Sequence, residues 1–241
     1  MPTSTDLTAN QFIDRLTTHQ SLVEAGKNRR YFTEQTNTDN QFLGIRMKII
    51  FDTAKEFTGM PLGEIEQLME SPFYEVRMGA VSMMDFKARN KNSTEADKKE
   101  LFDLYINHPD RINNWDMVDR AAPFVVGGYL FNKPRAPLYK LAKSKNLCER
   151  RTAIVSTYYF IRKGDVSDTF KIAALLVNDP HPLIHKAVGS WTREAGKKDK
   201  AKLIQFLNQY GSVMPRTMLR YAIEQLDQNE KEFYMQMKPG K

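Results

Sequence analysis

Near the middle of the chain, in Asn113-Asn114-Trp115-Asp116-Met117-Val118-Asp119, an indole and a carboxylate are spaced four residues apart. On a helix, Trp115 and Asp119 share one face. A buried carboxylate without a partner is costly, so the pair has two readings. At a surface, the π face and the carboxylate both attract positive charge, which suits a site that holds something cationic. Equally, an amphipathic helix can turn the Trp to the core and the Asp outward. Spacing alone leaves both open. Other candidate chemistry is thin. His181 and His185 have the i, i+4 spacing of metal ligands, but Pro182 puts His181 at or before a helix start, and no third ligand is near. No metal site is expected there. The single cysteine, Cys148, excludes a disulfide within the chain and argues against a Cys-based zinc site.

A helix carrying Trp115 and Asp119 needs neighbours, and the chain reads as helical nearly throughout, with few stretches of period two. Residues 1–25 read as a helix with Phe12, Leu16 and Leu22 on its apolar side. The polar, basic segment 28–40, with Arg29, Arg30, Tyr31 and Phe32, reads as a loop leading to Phe42-Leu43-Gly44-Ile45-Arg46. Pro61 suits the first turn of one helix and Pro72 opens another over 73–89. Ser93 or Thr94, with Asp97, signals the next helix start.

Four segments repeat a basic residue followed by small and apolar ones: 76–81, 150–155, 185–190 and 219–224. The basic positions are Arg77, Arg151, Lys186 and Arg220, at intervals of 74, 35 and 34 residues. The first interval is twice 37, which places a further marker at Asn114, directly before Trp115. A period of this length marks HEAT-like or armadillo-like helix pairs. The expected fold is all-α: a HEAT-like α-solenoid with helix-pair repeats of about 34–37 residues, read as one domain over 1–241. N-terminal helices fill 1–70, the repeat core runs over about 71–230, and 231–241 forms a short tail. Equivalent positions then line a concave basic face, a track of Arg77, Arg151, Lys186 and Arg220 with Asn114, Trp115 and Asp119 as an acidic, aromatic spot within it. The alternative is that these cations are solvated, outward residues.

The formal net charge of +7 favours a polyanionic partner, nucleic acid or an anionic membrane surface. No apolar run approaches the roughly 20 residues that span a bilayer. The segment MPTSTDLTANQF lacks the pattern of a signal peptide. A soluble protein of the bacterial cytosol or nucleoid is expected.

The elements NNWDMVDRAAPFVVGGYL, LCERRTAIVSTYYFIRKGD, HPLIHKAVGSWTREAGKKDK and MPRTMLRYAIEQL, in that order, resemble the AlkD-like DNA alkylation repair family, as does FLGIR earlier in the chain. The resemblance covers roughly residues 25 to 230. It implies a HEAT-like DNA glycosylase that removes positively charged N3- and N7-alkylated purines from duplex DNA in base excision repair, as a monomer without an obligate protein partner. It implies catalytic roles for Trp115, Asp119 and Arg151, and a DNA-holding role for Tyr31. There is one departure. The family places a second Trp directly after its KA(I/V)G segment, where it cradles the lesion-bearing sugar. Here Ser190 follows Lys186-Ala187-Val188-Gly189 and the Trp comes one residue later, at Trp191. That shift turns a helical side chain by about 100°. Cys148 stands where many members carry a Trp, a position read as packing.

The chemistry implied needs these residue types. Alkylation at N3 or N7 makes the purine a good leaving group without a general acid. Positive charge then develops on the sugar, where a fixed carboxylate, Asp119, stabilises it and orients water. Trp115 packs against the sugar and backbone. Arg151 holds a flanking phosphate, and the basic residues supply salt-sensitive affinity. No metal or organic cofactor is required. The resemblance implies that the base is not flipped into a closed pocket, and no residue cluster suited to reading a flipped base is evident. Two other readings use the same residues: a non-catalytic HEAT-repeat binder of damaged or branched DNA, and a protein-binding scaffold with Trp115 as a hot spot.

Overall fold

The computed structural model describes residues 7–29, 32 and 40–237. Among them there is no β-strand, only one isolated parallel bridge between Gln41 and Phe73. The fold is all-α and HEAT-like, and the chain divides into two compact units, 1–125 and 126–241.

The first unit holds α1 (Ala9–Thr17), α2 (Leu22–Arg29), α3 (Met47–Glu56), α4 (Leu62–Met69), α5 (Tyr74–Arg89), α6 (Glu95–Asn107) and α7 (Trp115–Ala121). Helices α3, α5 and α7 stack side by side, and α4 and α6 pack on α5 from the second layer. The run expected as one helix over 1–25 is two. The hydroxyls of Thr17 and Thr18 bond back to the carbonyls of Asp14 and Arg15 at 2.9 and 2.8 Å, closing α1. The break resets the helical phase: Phe12 and Leu16 are fully buried, whereas Leu22, expected beside them, is 95% exposed. The cap signal before α6 resolves to Thr94, whose hydroxyl accepts from Asp97 N–H while the Asp97 carboxylate accepts from Thr94 N–H.

The FLGIR segment is held by a carboxylate. Glu75 of α5, fully buried, accepts from Leu43 N–H at 3.0 Å and Gly44 N–H at 2.9 Å. Gly44 has φ +74°, and a Cβ there would lie 1.9 Å from the Ser21 carbonyl oxygen, so only glycine fits.

The second unit holds α8 (Gly128–Leu130), α9 (Ala136–Leu141), α10 (Leu147–Arg162), α11 (Ser167–Leu176), α12 (Pro182–Gly196), α13 (Lys200–Tyr210), α14 (Arg216–Ala222) and α15 (Gln228–Gln236). Helices α10, α12 and α14 form one layer; α11 and α13 pack on each other and on α12 from the other. The expected tail from 231 is helical to Gln236, and Tyr234 is buried with its hydroxyl donating to Asn208 at 2.8 Å.

The helices α5, α7, α10, α12 and α14 begin at 74, 115, 147, 182 and 216, intervals of 41, 32, 35 and 34 residues. The last two match the period in the sequence, and the longer first interval is taken up by the loop between α6 and α7. The small residues of the repeat do set helix approach. A Cβ on Gly189 of α12 would lie 2.5 Å from the Met218 carbonyl oxygen of α14, a backbone atom that cannot yield alone. Gly189→Ala is therefore expected to destabilise the protein by about 1–3 kcal/mol in urea unfolding. Gly63→Ala on α4, where a Cβ meets nothing within 4 Å, is expected to be neutral or slightly stabilising.

Candidate active site

Trp115 is the first residue of α7 and Asp119 the fifth, one turn on and on the same face. Trp115 is 40% exposed, so the alternative that buries this indole in the core does not hold. Asp119 is half-buried. The residues that bury α7 are Met117 and Ala121 on its other side and Val118 at the edge of the Trp115 face. The N-cap, Asn114, makes no side-chain cap bond; its side chain donates instead to Asp116 Oδ1 at 2.9 Å.

Beneath this surface lies a polar network that spacing did not indicate. Asp116 accepts from the hydroxyl of Tyr74, from Asn114, and from Met117 N–H at 2.8 Å. Burial pushes its carboxyl above the usual range, against those hydrogen bonds. Tyr74 is itself buried, edge-on to Phe32 at a centroid distance of 4.8 Å. The sequence contains Asp116 in plain view, but only the tertiary fold supplies Tyr74, 42 residues away.

Arg77, expected on the basic track, is 2% exposed. Its guanidinium donates to the Ser71 carbonyl at 2.6 Å, to the Arg111 carbonyl at 3.2 Å, and to the side chains of Asn40 and Asn113. Burial, helped by nearby Arg111, pushes its pKa down to about 10. The cause is register. Arg77 is the fourth residue of α5, whereas Arg151, Lys186 and Arg220 are the fifth of α10, α12 and α14. The fourth residues of α10 and α12 are Arg150 and His185. Arg150 donates to the Ser144 carbonyl at 3.1 Å, and His185 Nε2 meets the Asp179 carbonyl at 2.5 Å. Each of the three reaches the carbonyl six residues before it. They fasten the preceding loop to the helix. The fifth-position series is Met78, Asp119, Arg151, Lys186 and Arg220, so the carboxylate occupies in α7 the place that three later helices give to cations.

In that series Lys186 and Arg220 are exposed, while Arg151 is 8% exposed with Nη1 donating to the Leu183 carbonyl at 2.8 Å. Ser190 lies one turn beyond Lys186, on the same face of α12, and is half-buried. Trp191, one residue further on, packs on Tyr158 of α10, ring centroids 5.1 Å apart at 44°, and Tyr158 lies two turns after Arg151 on the same face of α10. Cys148 is buried, as a packing residue is. Tyr31 lies outside the described residues. His181 is the N-cap of α12, its ring nitrogen accepting from Leu183 N–H at 3.1 Å, so both histidines are engaged with backbone. Among the described residues no group of three or more His, Cys, Asp or Glu is arranged to hold a metal, and no helix is long and apolar enough to cross a membrane.

A further feature escaped the sequence reading. From Ala122 to Gly127 the helix runs as a π-helix. Pro123 has no N–H to give the Asp119 carbonyl four residues earlier; a turn whose bonds reach five residues lets the chain continue without breaking.

Stacked helix pairs define a helical-repeat protein. The chain belongs to the DNA alkylation repair enzyme family, whose model matches residues 12–226. Among solved structures it is similar to one from Enterococcus faecalis, described as a predicted DNA alkylation repair enzyme, at 17% identity and a TM-score of 0.68. The similarity covers 87% of this chain and 98% of that one, and it shows the shared fold. No curated protein matches the chain in sequence.

The register separates two kinds of cation. Arg77→Ala leaves buried carbonyls without donors and is expected to lower unfolding free energy by about 3 kcal/mol. Lys186→Ala, at an exposed site, is expected to change it by no more than about 0.5 kcal/mol. Urea titrations of the two variants make the comparison.

Proposed function

We propose that the protein is a DNA glycosylase that releases positively charged N3- and N7-alkylated purines from duplex DNA. The observation that carries this reading is the placement of Asp119 one turn from the exposed Trp115, at the helix position that elsewhere bears Arg151, Lys186 and Arg220. A surface built only to bind phosphates gains nothing from a carboxylate there. A surface that must stabilise a cation at the sugar does.

In this reaction the bond between the sugar carbon and the purine nitrogen breaks, and its electron pair neutralises the alkylated base. Asp119 stabilises the positive charge left on the sugar and orients the water that attacks it. Trp115 presents its π face to the same region. Arg151 contacts a flanking phosphate, and Lys186 and Arg220 add sequence-independent affinity along a basic face. Ser190 and Trp191 shape the substrate range. The leaving group is already charged, so neither a metal nor an organic cofactor has a step to perform.

A second reading, a non-catalytic binder of damaged or branched DNA, is favoured by one observation: Ser190, not a Trp, stands one turn beyond Lys186, and Trp191 is packed on Tyr158. Excision separates the two. The protein is expected to release 7-methylguanine from a defined duplex, and Asp119→Asn to slow release by about a hundredfold or more while binding the duplex as tightly or better. An Asp119→Asn variant that excises at the parent rate removes Asp119 from catalysis. Binding without release by the parent protein moves the assignment to the second reading. Arg151→Ala is expected to weaken duplex binding and reduce the slope of log K against log salt by about 1; an unchanged slope removes Arg151 from the phosphate contact.

A further inference from the structure

Directly after Asp119 comes Arg120, and its guanidinium does not face outward. It lies over the ring of Phe86 of α5 at 4.6 Å and the ring of Phe51 of α3 at 4.7 Å. Its Nε donates to Ser82 Oγ at 3.2 Å, and Nη1 stands 3.2 Å from Asp85 Oδ2. Asp85, on α5, is fully buried. Its second oxygen accepts from Arg89 Nε at 2.8 Å, and Arg89 in turn lies 3.7 Å over the ring of Phe124. One buried carboxylate therefore grips the chain on both sides of Pro123: through Arg120 before the π segment, and through Arg89 and Phe124 within it.

We propose that Asp85 and Arg120 form a clamp that positions Asp119. The catalytic role of Asp119 rests on the glycosylase reading; the clamp rests on the contacts alone. Three consequences of its chemistry support it. Asp85 Oδ2 is buried and makes an ionic contact with Arg120 without an aligned hydrogen bond, so Arg120 is the group that offsets its charge from α7. A guanidinium between two aromatic rings loses rotational freedom, and that restriction passes to the backbone of its neighbour, Asp119. The clamp also draws the Arg120 charge inward. A freed Arg120 is adjacent in sequence to Asp119 and able to lean towards its carboxylate, competing with a cationic substrate. Asp85 and Arg120 touch no substrate in this scheme; they are positioning residues.

The test uses two readouts. The first is single-turnover release of 7-methylguanine at saturating protein, with duplex affinity measured separately. The second does not depend on catalysis: the chain has two tryptophans, so in a Trp191→Phe background acrylamide quenching reports Trp115, one turn before Asp119. Asp85→Asn and Arg120→Gln are each expected to slow release about tenfold to a hundredfold, leave duplex affinity within about twofold, and raise Trp115 quenching. The double variant is expected to be no slower than the slower single, because the pair acts as a unit. It leaves no unpaired buried charge, so it remains measurable where a single variant fails to fold. Parent-like release and quenching in the double variant overturn the clamp, as do effects of the two single changes that multiply. If the parent protein releases no base, the glycosylase reading fails and Trp115 quenching alone decides the clamp: a rise in the variants supports it, no change overturns it.

Discussion

Carbonyls of the loops that lead into stacked helices point into protein, and buried carbonyls need donors. Here the fourth residue of the following helix supplies them. Arg77, Arg150 and His185 each reach back six residues, to Ser71, Ser144 and Asp179. A guanidinium has five N–H groups, and Arg77 uses the remainder on Arg111 and on the side chains of Asn40 and Asn113. The loop that delivers Trp115 is thereby tied to the start of α5. Burying that charge is unfavourable, which is why its pKa falls to about 10, and the bonds to loop oxygens offset the cost. The placement of Trp115 and Asp119 depends on this fastening.

The fourth position holds a loop in α5, α10 and α12, and the fifth carries a charge in α7, α10, α12 and α14. Three helices put Arg or Lys there; α7 puts Asp119. In a chain of net charge +7, such a carboxylate opposes phosphate binding. Under the proposed reading that cost is recovered only where positive charge appears, on an alkylated purine and on the sugar it leaves. Local repulsion of phosphate and attraction of the reacting centre are then two effects of one charge.

The helix pairs and a cap signal before α6 were legible because each is local: period and cap chemistry lie within one or two turns. The i, i+4 spacing likewise put Trp115 and Asp119 on one face, but whether that face met the core or solvent was not in it. The register of Arg77 was not. A basic residue before small apolar ones looks alike at the fourth and fifth helix positions, and the two differ only by whether the side chain reaches the loop behind it. Leu22 was misassigned for a related reason: a helix break of a few residues resets the phase, and apolar spacing carries no mark of the break. The partners of Asp116 and Arg120 come from α5 and α3, tens of residues away, and periodicity cannot supply them.

Pro123 shows how a local rule broken in sequence becomes a device in structure. Within an α-helix it removes a donor and crowds the carbonyl four residues earlier, here that of Asp119. The chain answers with a π turn rather than a break, and each such turn shifts the helical phase of the later residues relative to the earlier ones. Helix α7 buries Met117, Val118 and Ala121 while leaving Trp115 at the surface. The segment that makes this turn is also the one gripped on both sides through Asp85, and under the proposed reading that support sits beside the carboxylate that must hold its aim.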